Sequence, residues 1–167
     1  MFWFGAVCLT ETLNETFEGK VRPITDQYSD EKYELSGVTR SEALTWPKSE
    51  IVLPKFAEWV LDHKRPGTEA RIYSDCNGYD AMWLNMYLHR FADCTVFGHS
   101  SVNIKNLYQG LVSGIRSTGA VVPDTLGRSF KDLRKTEHNH NPVTDAIGNA
   151  EALLAMKAHG LEVSVQT

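Results

Sequence analysis

The chain has 167 residues, enough for one domain with a substantial core, and its 42% apolar and 23% charged composition is that of a soluble globular fold. Seventeen basic residues against 21 acidic ones leave a net charge of −4, which excludes a protein that holds nucleic acid by bulk positive charge. The three cysteines, Cys8, Cys76 and Cys94, share no Cys-x-x-Cys spacing, so neither a thiolate zinc site nor a disulfide framework is expected, and a cytoplasmic setting is the default.

Residues 2–9 form an apolar run with no polar alternation, as in a strand buried on both faces. The run lacks the basic start and small-residue cleavage site of a signal peptide, and no stretch of the chain nears the ~20 apolar residues of a membrane span. A central strand seldom opens a domain, so an upstream element is expected to be missing. Residues 17–22 read as the antiparallel partner, with Asn14 in the turn. Asp26 to Ser36 is polar and reads as loop with a short helix.

Thr39-Arg40-Ser41-Glu42 opens a helical turn that ends before Pro47, and Pro54 to His63 has Phe56, Trp59 and Val60 at helical spacing. Ala70 to Ser74 reads as a strand, followed by the tight loop Asp75-Cys76-Asn77-Gly78 and a helix from about Asp80 to Phe91. Thr95 to Phe97 suggests a short strand. Asn103 to Ile115 reads as a helix with Ile104, Leu107, Leu111 and Ile115 on one side. The last helix has Asn141 as cap, Pro142 at its first position and Gly160 at its end. Leu161 to Val165 suggests a final strand. A hairpin followed by alternating helices and strands gives an α/β fold, a mixed sheet covered by helices in a single domain over 1–167.

Two segments carry candidate chemistry. In Tyr73-Ser74-Asp75-Cys76-Asn77-Gly78-Tyr79-Asp80 a strand runs through a loop into a helix, and Asp80 lies at the positive end of the helix dipole. It serves there either as a metal-binding carboxylate or simply as a helix cap. In Glu137 to Ala146, His140 precedes the last helix and Asp145 sits in its first turns. An imidazole in a loop can take a proton from water, and a neighbouring carboxylate can hold the cation that polarises it. A solvated loop with a dipole-favoured acid is the alternative. Zinc ligation by His138 and His140 is a third reading, without convincing further ligands.

Taken together, the chain resembles the DEDDh (DnaQ-like) 3′–5′ exonucleases, which have a ribonuclease-H-like fold. Asn77-Gly78-Tyr79-Asp80 is similar to a short form of the family's second motif. His140 and Asp145, separated by four residues, match its His-x4-Asp motif. Phe4-Gly5-Ala6-Val7 looks like the family's second strand, Phe17 to Pro23 like its third, and Ser36-Gly37-Val38-Thr39 like the turn that follows. The first motif, Asp-x-Glu, is absent. Leu9-Thr10-Glu11-Thr12 has a similar flavour but lies after the second-strand signature, so Glu11 and Glu15 read as turn residues.

The resemblance implies hydrolysis of nucleic-acid 3′ ends with two Mg²⁺ or Mn²⁺ ions. Asp80 and Asp145 would be metal ligands, His140 the general base and Asp75 a supporting group. The implied partner is the 3′ end of a single strand, DNA or RNA, with no membrane role. A homodimer paired through an exposed strand edge is compatible with the family. Because Asp-x-Glu is absent, the alternative is a non-catalytic pseudo-nuclease that binds nucleic acid or a protein partner. Tyr79 and Trp46 are candidates for stacking, and Arg40, Lys105 and Arg116 for phosphate contact, although packing is the better reading of the two aromatics and solvation of the three basic residues.

Overall fold

In the computed structural model, which describes residues 3–165, the amino-terminal apolar run forms β1 (Trp3–Val7). It pairs antiparallel with β2 (Thr16–Lys20), with Phe4 opposite Gly19 and Ala6 opposite Phe17. The Phe4 ring lies over Gly19 so closely that a Cβ there would fall 2.1 Å from the ring. Gly19 thereby fixes the register, because a side chain would displace the aromatic face. Phe2, at the start of the expected strand, lies outside the described residues.

Two short helices follow, α1 (Asp30–Ser36) and α2 (Arg40–Ala43), the second capped by the Thr39 side chain. Helix α3 spans Ser49–His63, so Pro54 lies inside the helix instead of starting it. Proline removes one backbone donor there. Burial of Leu53, Phe56, Ala57 and Val60 along one face offsets that loss. Phe56 meets the Phe4 and Phe17 rings with centroids 5.1 Å apart in each case, joining α3 to the hairpin.

Strand β3 (Tyr73–Ser74) leads into α4 (Asn77–Phe91), and β4 (Val102–Asn103) leads into α5 (Ile104–Ser117), capped by Asn103. Two 3₁₀ turns, Asp124–Leu126 and Phe130–Leu133, precede α6 (Pro142–Ala158). The result is a mixed α/β structure, but not the continuous ribonuclease-H-like sheet expected. Among the described residues there are two separate two-stranded pieces, β1–β2 antiparallel and β3–β4 parallel.

Two expected strands are corrected. Thr95 to Phe97 contributes only a single bridge, between Phe97 and Ala70, because Asp93 turns the chain at φ 48 just before it. Leu161 to Val165 makes no ladder. Gly160, at φ 96, redirects the chain, and the tail is held instead by the Arg65 guanidinium donating to the Val165 carbonyl.

The core has two main parts. One gathers β1, β2, α3 and α4 around Phe56, Leu53 and Tyr87. The other gathers α5, the 3₁₀ turns and α6 around Ile104, Leu126 and Met156. Helix α6 joins them by packing on β1 at Gly5. A Cβ on Gly5 would lie 2.4 Å from both the Pro142 carbonyl carbon and the Val143 nitrogen. Those atoms are backbone and cannot rotate away. Gly5→Ala should therefore lower unfolding free energy by about 3 kcal/mol, the upper end for overpacking, measured by urea denaturation. Unchanged stability would mean that the helix start is free to move off the strand.

Candidate active site

Asp80 and Asp145 occupy equivalent places, each the fourth residue of its helix. Neither is the cap. The cap position of α4 is Cys76, with no side-chain cap bond, and α6 is capped by Asn141, whose side chain accepts from the Val143 and Thr144 amides. The amides of Asp80 and Asp145 bond to the carbonyls of Cys76 and Asn141 at 3.0 and 2.9 Å, so their carboxylates are not used in starting the helices.

Asp145 meets two imidazoles. Its carboxylate lies 2.6 Å from His138 Nδ1, and the His138 and His140 rings pack edge-on with centroids 4.4 Å apart. Donor atoms of His138, His140 and Asp145 all lie within 4.8 Å of one another. His140 adopts the left-handed backbone conformation, φ 61. The turn around it is built by Asn139, whose side-chain oxygen accepts from the Asn141 amide and the Thr144 hydroxyl at 3.1 and 2.6 Å. Two imidazoles and one carboxylate are a donor set for a divalent ion of borderline character such as Zn²⁺, and the carboxylate suits a hard ion such as Mg²⁺ or Mn²⁺.

Asp80 does not belong to that cluster. Although the residue is exposed, crowding around its carboxyl group raises its pKa. Desolvation leads, the Asp75 charge adds to it, and the Ser74 hydroxyl pulls the other way. Ser74 Oγ is buried against the Asp80 carboxylate, and Asn77 Oδ1 is buried without a hydrogen-bond partner. An orphaned oxygen near a carboxylate suits water, a hard cation or a polar substrate group. The donor atoms near both aspartates thus fit divalent-ion binding.

Two residues hold the site and were missed by the sequence reading. Glu151, on α6, accepts from the Lys135 and Thr136 amides, both at 2.7 Å, and from the Thr136 hydroxyl at 3.0 Å. It pins the start of the loop that carries His138 and His140. Arg134 is only 7% exposed at its side chain. It donates to the Asn149 side chain, lies 3.7 Å from Asp75 and sits 5.3 Å above the Phe130 ring. It therefore links α6 to the loop before α4. His138 was noted in the sequence only as a zinc candidate, and its partner proves to be Asp145. The signal for it was the His-Asn-His alternation.

The other candidates are dispersed. Glu11 pairs with Lys157 at 3.6 Å and Glu15 with His63 at 3.2 Å, as ordinary loop contacts. Trp46 is buried in a small cluster with Tyr33 and Val38, and Tyr79 is exposed, edge-on to Trp83. Arg40 is engaged by Asp26 and stacks on Tyr28. Lys105 and Arg116 stand together on α5, along an open groove.

The sequence matches no protein-family model and no curated protein. Comparison of the fold finds the crystal structure of cell-death related nuclease 4 (CRN-4), with a TM-score of 0.64 at 16% sequence identity. The match covers 91% of this chain and 53% of that one, so the chain spans about half the length of the nuclease it resembles. The shared feature is the fold. No helix among the described residues is long and apolar enough to cross a membrane.

Glu151 gives this region a pH dependence. Burial alone would raise its pKa, but the Thr136 and Lys135 amides and the Thr136 hydroxyl outweigh burial and hold it below the ordinary 4.5. A depressed carboxyl contributes stability above its unfolded pKa and loses it as pH falls through the folded one. Glu151→Gln should cost about 1 kcal/mol at neutral pH. The difference from the unaltered protein should close as pH drops below 4.5. Thermal melts of the two proteins across that range measure it.

Proposed function

We propose that the protein is a metal-dependent 3′–5′ exonuclease of the DEDDh type. The observation that carries this reading is the meeting of His140 and Asp145, with His138, at the start of one helix, on a nuclease fold. The substrate is the 3′ end of a single strand, DNA or RNA.

Asp145 and Asp80 would hold divalent cation, Mg²⁺ or Mn²⁺, with His138 as a further donor. When bound, such a cation supplies Lewis-acid polarisation and charge neutralisation at the phosphate. His138 orients the Asp145 carboxylate through their 2.6 Å contact. His140 acts as general base, taking a proton from the water whose oxygen attacks phosphorus. The P–O3′ bond breaks with its electron pair on the 3′ oxygen, which takes a proton from solvent. The products are a nucleoside 5′-monophosphate and a strand shorter by one nucleotide.

The sequence holds no Asp-x-Glu run, so the carboxylates here are fewer than the four of the complete family site, and slow turnover is part of the proposal. That same deficit favours the second reading, a non-catalytic module that binds nucleic acid or a protein partner.

The test is Mn²⁺-dependent release of nucleoside monophosphates from a 3′-labelled single strand. Asp145→Asn should abolish release, and His140→Ala should slow it by about 10²–10⁴-fold, the range for loss of a general base. Equal release by the unaltered protein and Asp145→Asn removes the proposed site. Calorimetric binding of Mn²⁺ and nucleoside monophosphate with no release favours the binding module.

A further inference from the structure

An open groove of about 1080 Å³ lies between α5 and the segment 122–132, and it reaches the Asp75-Cys76 loop that leads into α4. Its walls bring together Lys105 and Arg116 from α5 with Arg128 and Lys131 from the facing segment. All four side chains belong to exposed residues. Among the described residues none of the four has an ion-pair partner or donates a side-chain hydrogen bond. In a chain with a −4 balance, four unpaired cations along one groove are a local reversal of sign.

The carboxylates in the same walls are mostly engaged. Asp132 accepts from the Arg128 and Ser129 amides at 2.8 and 3.0 Å. Asp75 lies 3.7 Å from Arg134. Among the described residues Asp124, at the start of the first 3₁₀ turn, is the one carboxylate of these walls without such a partner. The floor is apolar, with Val112 and Val122.

We infer that this groove binds the sugar–phosphate backbone of a single-stranded nucleic acid, upstream of the terminal nucleotide. Lys105 and Arg116 are separated by about 16 Å of helix at 1.5 Å per residue, long enough for several successive phosphates. Lys131 lines the groove together with Asp75 and Cys76, so the basic row reaches the loop before Asp80. The groove therefore runs toward the candidate site. Cations that meet phosphates give backbone contact that is indifferent to sequence. The inference rests on the exonuclease reading only for the direction of the strand.

The experiment is fluorescence anisotropy of a fluorescein-labelled twelve-nucleotide oligothymidylate in EDTA, across a salt series, so that binding is read without turnover. Four phosphate contacts at roughly 0.7 each give a slope of log affinity on log salt of about −3. Lys105→Gln with Arg116→Gln should weaken binding about tenfold and reduce the slope by about 1.4. Arg128→Gln with Lys131→Gln should act alike. A control pair on another face, Lys32→Gln with Lys55→Gln, removes the same charge and should leave both values near those of the unaltered protein. Circular dichroism confirms the fold of each variant.

The inference is overturned if the control pair loses as much affinity as either groove pair, or if the unaltered protein binds without salt dependence. Salt-dependent binding without nucleotide release in Mn²⁺ would sink the hydrolytic reading and leave the groove standing. Release with binding insensitive to both groove pairs would do the reverse.

Discussion

The contact between α6 and Gly5 is the constraint on which the remaining structure depends. A helix normally packs on a strand through side chains, which keeps the two backbones about 10 Å apart. Here the first residues of α6 reach the strand backbone itself, because Gly5 presents no Cβ to the Pro142 carbonyl and Val143 amide. That approach fixes where Asn141 caps the helix, and so where Asp145 stands three residues beyond Pro142. It also ties the hairpin to the second core, since Ala152, Leu153 and Met156 on the same helix pack among α5 and the 3₁₀ turns.

The second constraint is electrostatic. A guanidinium as buried as that of Arg134 is costly unless its donors find acceptors. Asn149 supplies one oxygen and Asp75 a charge at 3.7 Å, while Nε remains without a partner. The side chain also lies over Gly148, where a Cβ would come within 3.2 Å of Arg134 Cδ. Arg134 thus has room only because α6 carries glycine at that turn. In satisfying it, the chain draws the α4 loop toward α6, the two segments that bear Asp80 and Asp145. Glu151 works on the next residues, so adjacent positions 134–136 are anchored to α6 at two points and the His138–His140 turn emerges from a fixed base. One helix therefore carries Asp145 and holds the loop with the imidazoles.

The sequence made much of this legible where the signal is local. Asn141-Pro142 and Gly160 bracket α6 because capping and turn chemistry act over a few residues. The periodic apolar positions of α5 are equally local. The His-x4-Asp spacing was visible for the same reason, although the ligand role of Asp80 and Asp145 is a proposal. What escaped is long-range. Arg134 and Glu151 look like ordinary surface charges until tertiary packing supplies Asp75, Asn149 and the loop amides. Arg128 and Lys131 gain meaning only opposite Lys105 and Arg116. The expected strand at Thr95 to Phe97 failed because a run of three residues contains too little pattern to outweigh the turn at Asp93.

Net charge is the weakest of these guides, and the groove shows why. A balance of −4 describes the field many ångströms away, where positive and negative groups blur together. At physiological ionic strength screening acts over about 8 Å, so a polyanion near the surface responds to the charges in its immediate reach. Along α5 and the 122–132 segment those charges are cations without ion-pair partners among the described residues, and of the nearby carboxylates Asp132 is held by backbone amides and Asp75 lies against Arg134, leaving Asp124. The amides that meet Asp132 in its capping box offset part of its charge and add stability to the turn. An acidic chain can in this way keep a basic path on its surface.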